Sequence, residues 1–521
     1  MANPKFKKAL LYLNHEGVSD LFSSQPEYQF VFDHTDASID VLESIDDLIL
    51  RQKKIKFLPP LNDLFSIGRH IYRSGSLVDP FLHVYATAVI MAMQYEIEEF
   101  RSLTEPNTVF SYRMIEGSNT EWFDPSIGWG KFNETNVKLA KNSDVVVSAD
   151  IASFYSSLRP AHFNSYGFLK IFSGANEIRL QAILKYMNLE ERGLPVGGSF
   201  ARILAEILLA HVDIELKKEG VIFTRFVDDF RIFSKDKGLV SREIYILTKI
   251  LNNYGLHINR QKISVLKNDE FIETLKFKSA SLVSNNDQKS TITNPLFDPY
   301  TELVINRVDE LKAISETQSL HQATIYEMEK ISADITSLKV ILSAAKYCST
   351  EECFLVISEI LKNLYRPETH ILMLRISQLI EFRNLEFSSS ILACLSEKIE
   401  QVFIQKRHSL PLSVQALLLN ARLNIDTILG YEFEQLLVVV YHQSDNDHLN
   451  RNIYILLATR SKNDEVFQSL NCSSKHSSFW IKSLQDLVHW KKTSDVQYVT
   501  NETNRTPLHH LISNISKTYV L

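Results

Sequence analysis

Glycine and proline are scarce in this chain, 15 and 14 among 521 residues, about 3% each where roughly 7% and 5% are usual. That scarcity excludes collagen-like and low-complexity classes and points to long regular elements with few loops. Cysteine is scarcer still. Cys348, Cys353, Cys394 and Cys472 all fall in the second half, with no C-x-x-C pair and no matching histidine spacing. Neither a disulfide scaffold nor a structural zinc site is expected, and the thiols read as reduced, in a cytosolic protein. No apolar run approaches the roughly 18 residues of a membrane-spanning helix; the longest, "VYATAVIMAM" at 84–93, is too short. The N-terminal "MANPKFKKALLYLNHEG" has lysines but a very short apolar stretch, and is not read as a secretory signal. There is no excess of basic residues: the net charge is -6. A general nucleic-acid sheath is thereby excluded, and any such contact must be a local basic surface.

What is present is ordinary globular material, 45% hydrophobic and 23% charged, in a chain long enough for two or more cores. Residues 1–60 read as a helical extension ending in the basic "LRQKKIKFLPP". Residues 61–105 carry helix-period apolar patterns, as in "PFLHVYATAVIMAMQYEIEEF", and 106–143 turn loop-rich. "DVVVSADIASFY" opens with a buried-strand signal. "SFARILAEILLAHVDIELKKEG" at 199–220 predicts a helix closed by Gly220, and "VIFTRFVDDFRIF" a hairpin with an Asp-Asp tip. "SREIYILTKILNNYGLHINRQKISVLK" reads as helix, glycine break and strand. The polar "SNNDQKSTITNPLFDP" at 284–299 is the best domain boundary. Beyond it nearly everything is helix-periodic, which suggests antiparallel helix pairs stacked as a HEAT-like array, with a plain bundle as the alternative. The expected fold class is α+β: 1–60 an N-terminal helical extension, 61–285 the catalytic part, and 286–521 an α-helical domain.

The acidic residues Asp228 and Asp229 sit between apolar runs, where carboxylates are rarely found unless something pairs with them. Asp150 lies at the end of its own strand, as Asp228 does at its hairpin tip. Carboxylates at neighbouring strand ends can hold two divalent cations roughly 3.5–4 Å apart and so stabilise the attacking and leaving oxygens of an in-line displacement. Hard oxygen ligands select Mg²⁺ or Mn²⁺, and the carbonyl of Ile151 would add another if the strand ends there. Between these carboxylates, "GLPVGGS" at 193–199 forms a Gly- and Pro-bearing loop before a helix, which lets a ligand approach the backbone closely. Taken singly, each feature has a plain structural alternative: an Asx turn, a cap or a helix-entry loop.

The order of these features resembles the palm of reverse transcriptases: a strand-end D-x-x-x-F-Y, then G-x-P-x-G-x-S, then F-x-D-D, then "GLHINRQK". The resemblance places Asp150, Asp228 and Asp229 on the family's metal-binding aspartates and Tyr155 on its steric-gate position, where an aromatic ring excludes a ribose 2′-hydroxyl. Lys262 falls on the lysine that can protonate the leaving pyrophosphate. Arg113, in "VFSYR", would grip the triphosphate, a task suited to a guanidinium. Pro195, Val196 and Gly197 would line the nucleotide. A core tyrosine and a solvated lysine are the alternatives for Tyr155 and Lys262.

The departures are informative. Val196 replaces a glutamine that templated copying usually uses, Phe226 replaces tyrosine before the aspartates, and no thumb is recognisable after 275. This combination is similar to the bacterial abortive-infection (Abi) reverse transcriptases. That resemblance implies antiphage defence in the cytoplasm and homo-oligomers, trimers or hexamers. It also implies untemplated synthesis of single-stranded DNA from dNTPs, primed by a protein hydroxyl, with Tyr12, Tyr28 and Tyr72 as candidates. Two other readings stay open: a templated enzyme of the retron or group II intron kind, and a non-catalytic helical scaffold with a relic palm.

Overall fold

The computed structural model describes residues 4–22, 25–102, 107–117, 120–159, 162–163, 172, 174–187, 193–196, 198–280, 308–462, 470, 478–493 and 506–519. The chain opens with α1 (Phe6–Glu16), α2 (Pro26–Asp33) and α3 (Thr35–Leu50), then a hairpin of β1 (Leu61–Gly68) and β2 (Ile71–Leu77). Next come α4 (Pro80–Ala92), α5 (Gln94–Arg101), α6 (Trp129–Ala140), β3 (Val145–Asp150), α7 (Phe154–Ser157), α8 (Ala175–Tyr186) and α9 (Ser199–Lys218). The first half ends with β4 (Phe223–Phe226), β5 (Asp229–Ser234), α10 (Val240–Asn253), β6 (Ser264–Lys267) and α11 (Asn268–Ala280).

Four of the strands form an antiparallel sheet in the order β4-β5-β3-β6. Its centre is β3, whose Val145, Val146 and Val147 are at most 3% exposed, as expected of a strand buried by its neighbours. The glycine break is present: Gly255 has φ +65° after α10, and a Cβ there would meet His162 Nε2 at 2.5 Å. Helix α4 is buried on every side from Pro80 to Met91, as a helix apolar all round must be. Asp79 caps it, accepting from Phe81 N and Leu82 N, and also takes Leu58 N at 2.9 Å.

Two expectations fail here. Residues 61–77 are a hairpin rather than helix, and the loop-rich 106–143 contains the 12-residue α6. The hairpin escapes local pattern reading because its apolar side chains are covered by distant elements: Phe65 lies 4.9 Å from the Phe22 ring and 5.6 Å from His448.

From Val308 on, the described residues are helical. Leu320–Glu329, Thr350–Lys362, Ser389–Lys406 and Tyr431–Gln443 pack in succession as one layer. Ile335–Ala344, Met373–Arg383, Leu412–Leu423, Asp447–Arg460 and Phe479–Thr493 form a second layer against it. Side chains of Ser319, Asp334, Ser349, Ser388 and Asn446 accept backbone N–H groups at five of these helix starts, about 1 kcal/mol each. The expected boundary at 284–299 lies outside the described residues.

Across that boundary the two halves exchange elements. Leu61, Phe65 and Leu77 of the hairpin belong to the core of the helical layers. Leu508, Leu511, Ile512 and Ile515 of the helix Pro507–Tyr519 belong to the core around the four-stranded sheet, on α3 and α4. Polar ties reinforce the exchange. His448 Nδ1 meets Asp63 at 2.7 Å, Ser413 Oγ donates to Leu64 O at 2.6 Å, and Arg451 pairs with buried Glu27. No described helix is long and apolar enough to cross a membrane.

Candidate active site

The sheet brings the expected carboxylates together. Asp150, last in β3, is paired in register with Asp229, first in β5. Residues directly opposite in an antiparallel pair point their side chains to the same face, with Cβ atoms roughly 5 Å apart. Asp228 stands in the turn between, and its carbonyl accepts from Ile151 N at 3.3 Å, tying the two strand ends. Asp150 O accepts from Asn259 N at 2.8 Å, which draws the "GLHINRQK" loop to the same place. From that loop Lys262 reaches Asp150 Oδ2 at 3.0 Å, and Asn259 Nδ2 approaches the same oxygen at 3.4 Å.

Crowding three carboxylates has an electrostatic signature. Burial, and then the charges of Asp150 and Asp229, push the Asp228 carboxyl up to about 7, with Arg73 opposing. Asp150 is raised by burial, while Lys262 holds it down. Repulsion of this kind is relieved by a divalent cation, and a hard-oxygen donor set suits Mg²⁺ or Mn²⁺. No cluster of three or more such side chains forms a ready-made metal cage among the described residues. Two cations already occupy part of the carboxylate surface: Lys262 on Asp150, and Arg231, 3.6 Å from Asp229. A Mg²⁺ site that completes its shell with substrate phosphates needs only one or two protein carboxylates, so the donor set fits.

The turn itself is strained. Val227 has φ +52°, a region disfavoured for a β-branched residue and costing roughly 1–3 kcal/mol. Its N–H donates to Ser111 Oγ at 3.0 Å, and its carbonyl accepts from Arg225 Nη1 at 2.8 Å.

Tyr155 follows β3 on α7 and packs against Phe154, ring centroids 5.2 Å apart. Its carbonyl accepts from Leu194 N at 2.9 Å, so the loop expected to line a nucleotide lies directly on it. Gly193 has φ +71°, and a Cβ there would stand 2.4 Å from Tyr155 O; only glycine fits. Burial, then Tyr112, push the Tyr155 hydroxyl far above its ordinary value. Pro195 is buried and Val196 partly exposed, while Gly197 lies outside the described residues.

Arg113 is placed differently. It is partly buried and its Nε meets Glu98 Oε2 at 3.2 Å, beside the buried Arg101. The arginine whose charge bears on Asp228 is Arg73, exposed on β2. Nothing in "IYRSG" marks it in the sequence, because the hairpin that carries it was itself not legible.

The buried network beneath the turn was also missed. Arg225, 0% exposed, pairs with Asp213 at 2.6 Å and Glu206 at 3.0 Å, both on α9. A signal was available: Glu206 and Asp213 are seven apart on one face of an otherwise apolar helix, and buried carboxylates require a cation.

A cleft of about 810 Å³ reaches the hairpin at Phe226, though none of Asp150, Asp228 and Asp229 lines it. Tyr12, Tyr112, Trp122 and Arg202 line one wall, and Lys346 and Arg375 of the helical layers line the other. Arg202 lies over the Tyr112 ring at 5.2 Å, and Trp122 stacks on Phe123 at 5.2 Å.

Residues 81–282 match the family model described as reverse transcriptase (RNA-dependent DNA polymerase). No curated protein matches the chain. The domain makes the chain a nucleotidyltransferase of the RNA-directed DNA polymerase type, with nucleotide substrates and a nucleic-acid product.

Proposed function

We propose that this reverse transcriptase domain builds single-stranded DNA from dNTPs without a template, starting on a hydroxyl of the protein, with two Mg²⁺ or Mn²⁺ ions at Asp150, Asp228, Asp229 and the Ile151 carbonyl. The observation that carries the polymerase reading is the cross-strand pairing of Asp150 with Asp229 beside the Asp228 turn. Such ions, when bound, polarise the phosphates and activate the attacking hydroxyl.

The chain's own residues do the rest. Lys262 stands beside Asp150, where it can pass a proton to the departing pyrophosphate oxygen. Tyr155 lies beneath the incoming sugar and leaves no room for a 2′-hydroxyl. Arg73 is better placed for the triphosphate than Arg113, because it is exposed and no ion pair engages it among the described residues, whereas Arg113 is paired with Glu98. Pro195 and Val196 give the nucleotide an apolar wall with no side-chain group to read a base.

Untemplated synthesis is supported by that wall and by the cleft. Aromatic faces interleaved with arginine and lysine suit a single strand, whose bases stack regardless of sequence. Among the candidate primers, Tyr28 is buried with its hydroxyl bonded to Val78 O at 2.8 Å and His83 Nδ1 at 2.9 Å. Tyr12 lines the cleft but is itself only 3% exposed, with its hydroxyl 3.0 Å from Ser199 Oγ, whereas Tyr72 is 44% exposed beside Arg73. The two-layer helical stacking supports a HEAT-like array. The similarity to abortive-infection enzymes supports an antiphage role, in trimers or hexamers, in the bacterial cytoplasm.

The test is incubation of nuclease-treated protein with labelled dNTPs and Mg²⁺ or Mn²⁺, followed by a denaturing gel. Label that migrates with the protein and is released by protease is expected. Label appearing only with added primer and template would replace this reading with a templated, retron-like enzyme, and no label under any condition with the scaffold reading.

A further inference from the structure

The strained turn before Asp228 is held at both ends of one residue. Val227 N–H donates to Ser111 Oγ at 3.0 Å, and Val227 O accepts from Arg225 Nη1 at 2.8 Å. Both partners are fixed in turn. Ser111 Oγ donates to Glu206 Oε1 at 2.6 Å. Arg225 binds Asp213 through Nε at 2.8 Å and Nη2 at 2.6 Å, and Glu206 through Nη2 at 3.0 Å. The backbone under Ser111 is clamped as well. Arg101 donates to Ser111 O at 2.6 Å and Tyr112 O at 2.7 Å, and Phe110 N donates to Arg225 O at 3.1 Å. Ser111, Arg225, Glu206, Asp213 and Arg101 are each at most 2% exposed.

None of these five residues lines the cleft of about 810 Å³. Two of the network's bonds go to the peptide groups of Val227, next to Asp228. A fully satisfied buried polar network rigidifies its surroundings, and a β-branched residue stays in the left-handed region only where its surroundings over-determine it. We propose that Ser111 and Arg225 are positioning residues of the polymerase: their two hydrogen bonds to the Val227 backbone hold the turn in the conformation that presents Asp228 to the metal. This inference rests on the reading of Asp228 as a metal ligand.

Arg225 is a poor probe, because removing it strands Glu206 and Asp213 in the interior. Ser111→Ala removes one hydroxyl and leaves the ion pairs intact. In the full-length protein without nucleotide, the Mn²⁺ concentration for half-saturation, read from the electron paramagnetic resonance of free Mn²⁺, should rise roughly ten- to a hundredfold, and the metal requirement for dNTP incorporation should rise with it. The dNTP KM at saturating metal should stay within about twofold, since only the metal-facing turn is disturbed. Ser111→Thr, which keeps the hydroxyl, should restore the wild-type metal requirement. Val227→Gly placed on Ser111→Ala should recover much of it, because glycine adopts positive φ unaided.

An unchanged metal requirement in folded Ser111→Ala overturns the proposal. So does a loss that Ser111→Thr fails to restore. Should Ser111→Ala not fold, Ser111→Cys, which keeps only a weak acceptor, is read in the same way. Asp228→Ala separates the two layers of argument. If it retains activity, the metal assignment falls. If it is inactive while Ser111→Ala matches wild type, the positioning role alone falls.

Discussion

Lys262 Nζ stands 3.0 Å from Asp150 Oδ2, an exposed ammonium on a carboxylate that is only 8% exposed. The lysine therefore competes with any cation for that oxygen, and a bound ion would release it toward a leaving group. Lys262→Ala should lower kcat by roughly 10²–10⁴-fold, the range for loss of a general acid. The metal concentration for half-saturation should stay equal or fall. Incorporation kinetics over a metal titration test this; an unchanged kcat returns Lys262 to a surface ion pair.

Asp228 should make the metal-free protein pH-sensitive. Its carboxyl is raised from 3.8 to about 7, so the folded state holds the proton more tightly than the unfolded state does. The associated stability is fully present below about 3.8 and is lost as pH rises through about 7. Metal-free wild type should thus melt progressively below Asp228→Asn as pH climbs from about 4 to about 7, the interval between the unfolded and folded values, with the gap level above it. Added Mg²⁺ or Mn²⁺ should close the gap for wild type only, and Asp228→Asn should be inactive. Parallel melting curves across that range would remove the argument.

Sugar choice should follow Tyr155. Tyr155→Val is expected to raise the rNTP/dNTP incorporation ratio by about tenfold or more, since one removed clash is worth roughly 1–3 kcal/mol. Gly193→Ala should do something different. Its Cβ would drive against Tyr155 O at 2.4 Å, so overall activity and melting temperature should fall together. An unchanged ratio in Tyr155→Val would make that ring a packing residue.

The two arginines should separate cleanly. Arg73→Ala is expected to raise the dNTP KM roughly tenfold or more with little change in melting temperature, as for loss of a charge-assisted contact to phosphate. Arg113→Ala should instead lower stability, because it leaves Glu98 with one fewer partner beside the buried Arg101. A dNTP KM that rises only in Arg113→Ala would restore the sequence-based assignment.

The palm was legible because its chemistry is written locally. A valine run that buries β3 and a glycine break before Lys262 each occupy a few consecutive residues and fell where expected, while the expected Asp-Asp tip is displaced by one residue: the turn is Val227–Asp228 and Asp229 opens β5. The hairpin β1–β2 was not, because its burial depends on Phe22 and His448, far away in sequence, while Leu64 and Ile71 remain 58% exposed. Alternation of apolar and polar residues signals a strand only when one face is uniformly covered. The support beneath the turn was half-legible: Arg225 lies inside the very stretch that drew attention, but its meaning depends on Glu206 and Asp213 reaching it from α9.

The helix Pro507–Tyr519 fills the core around the four-stranded sheet with Leu508, Leu511, Ile512 and Ile515, against α3 and α4. On the ribosome, that segment emerges long after the aspartates. At roughly 5–20 residues per second, the stretch after α11 takes on the order of 10–50 s to make. During that interval the nascent palm has an open apolar face, so an enzyme cut short by a nonsense codon or a stalled ribosome would lack a piece of its own catalytic half. Polymerase competence is thereby tied to translation through this helix: an element made late completes a core begun by elements made early.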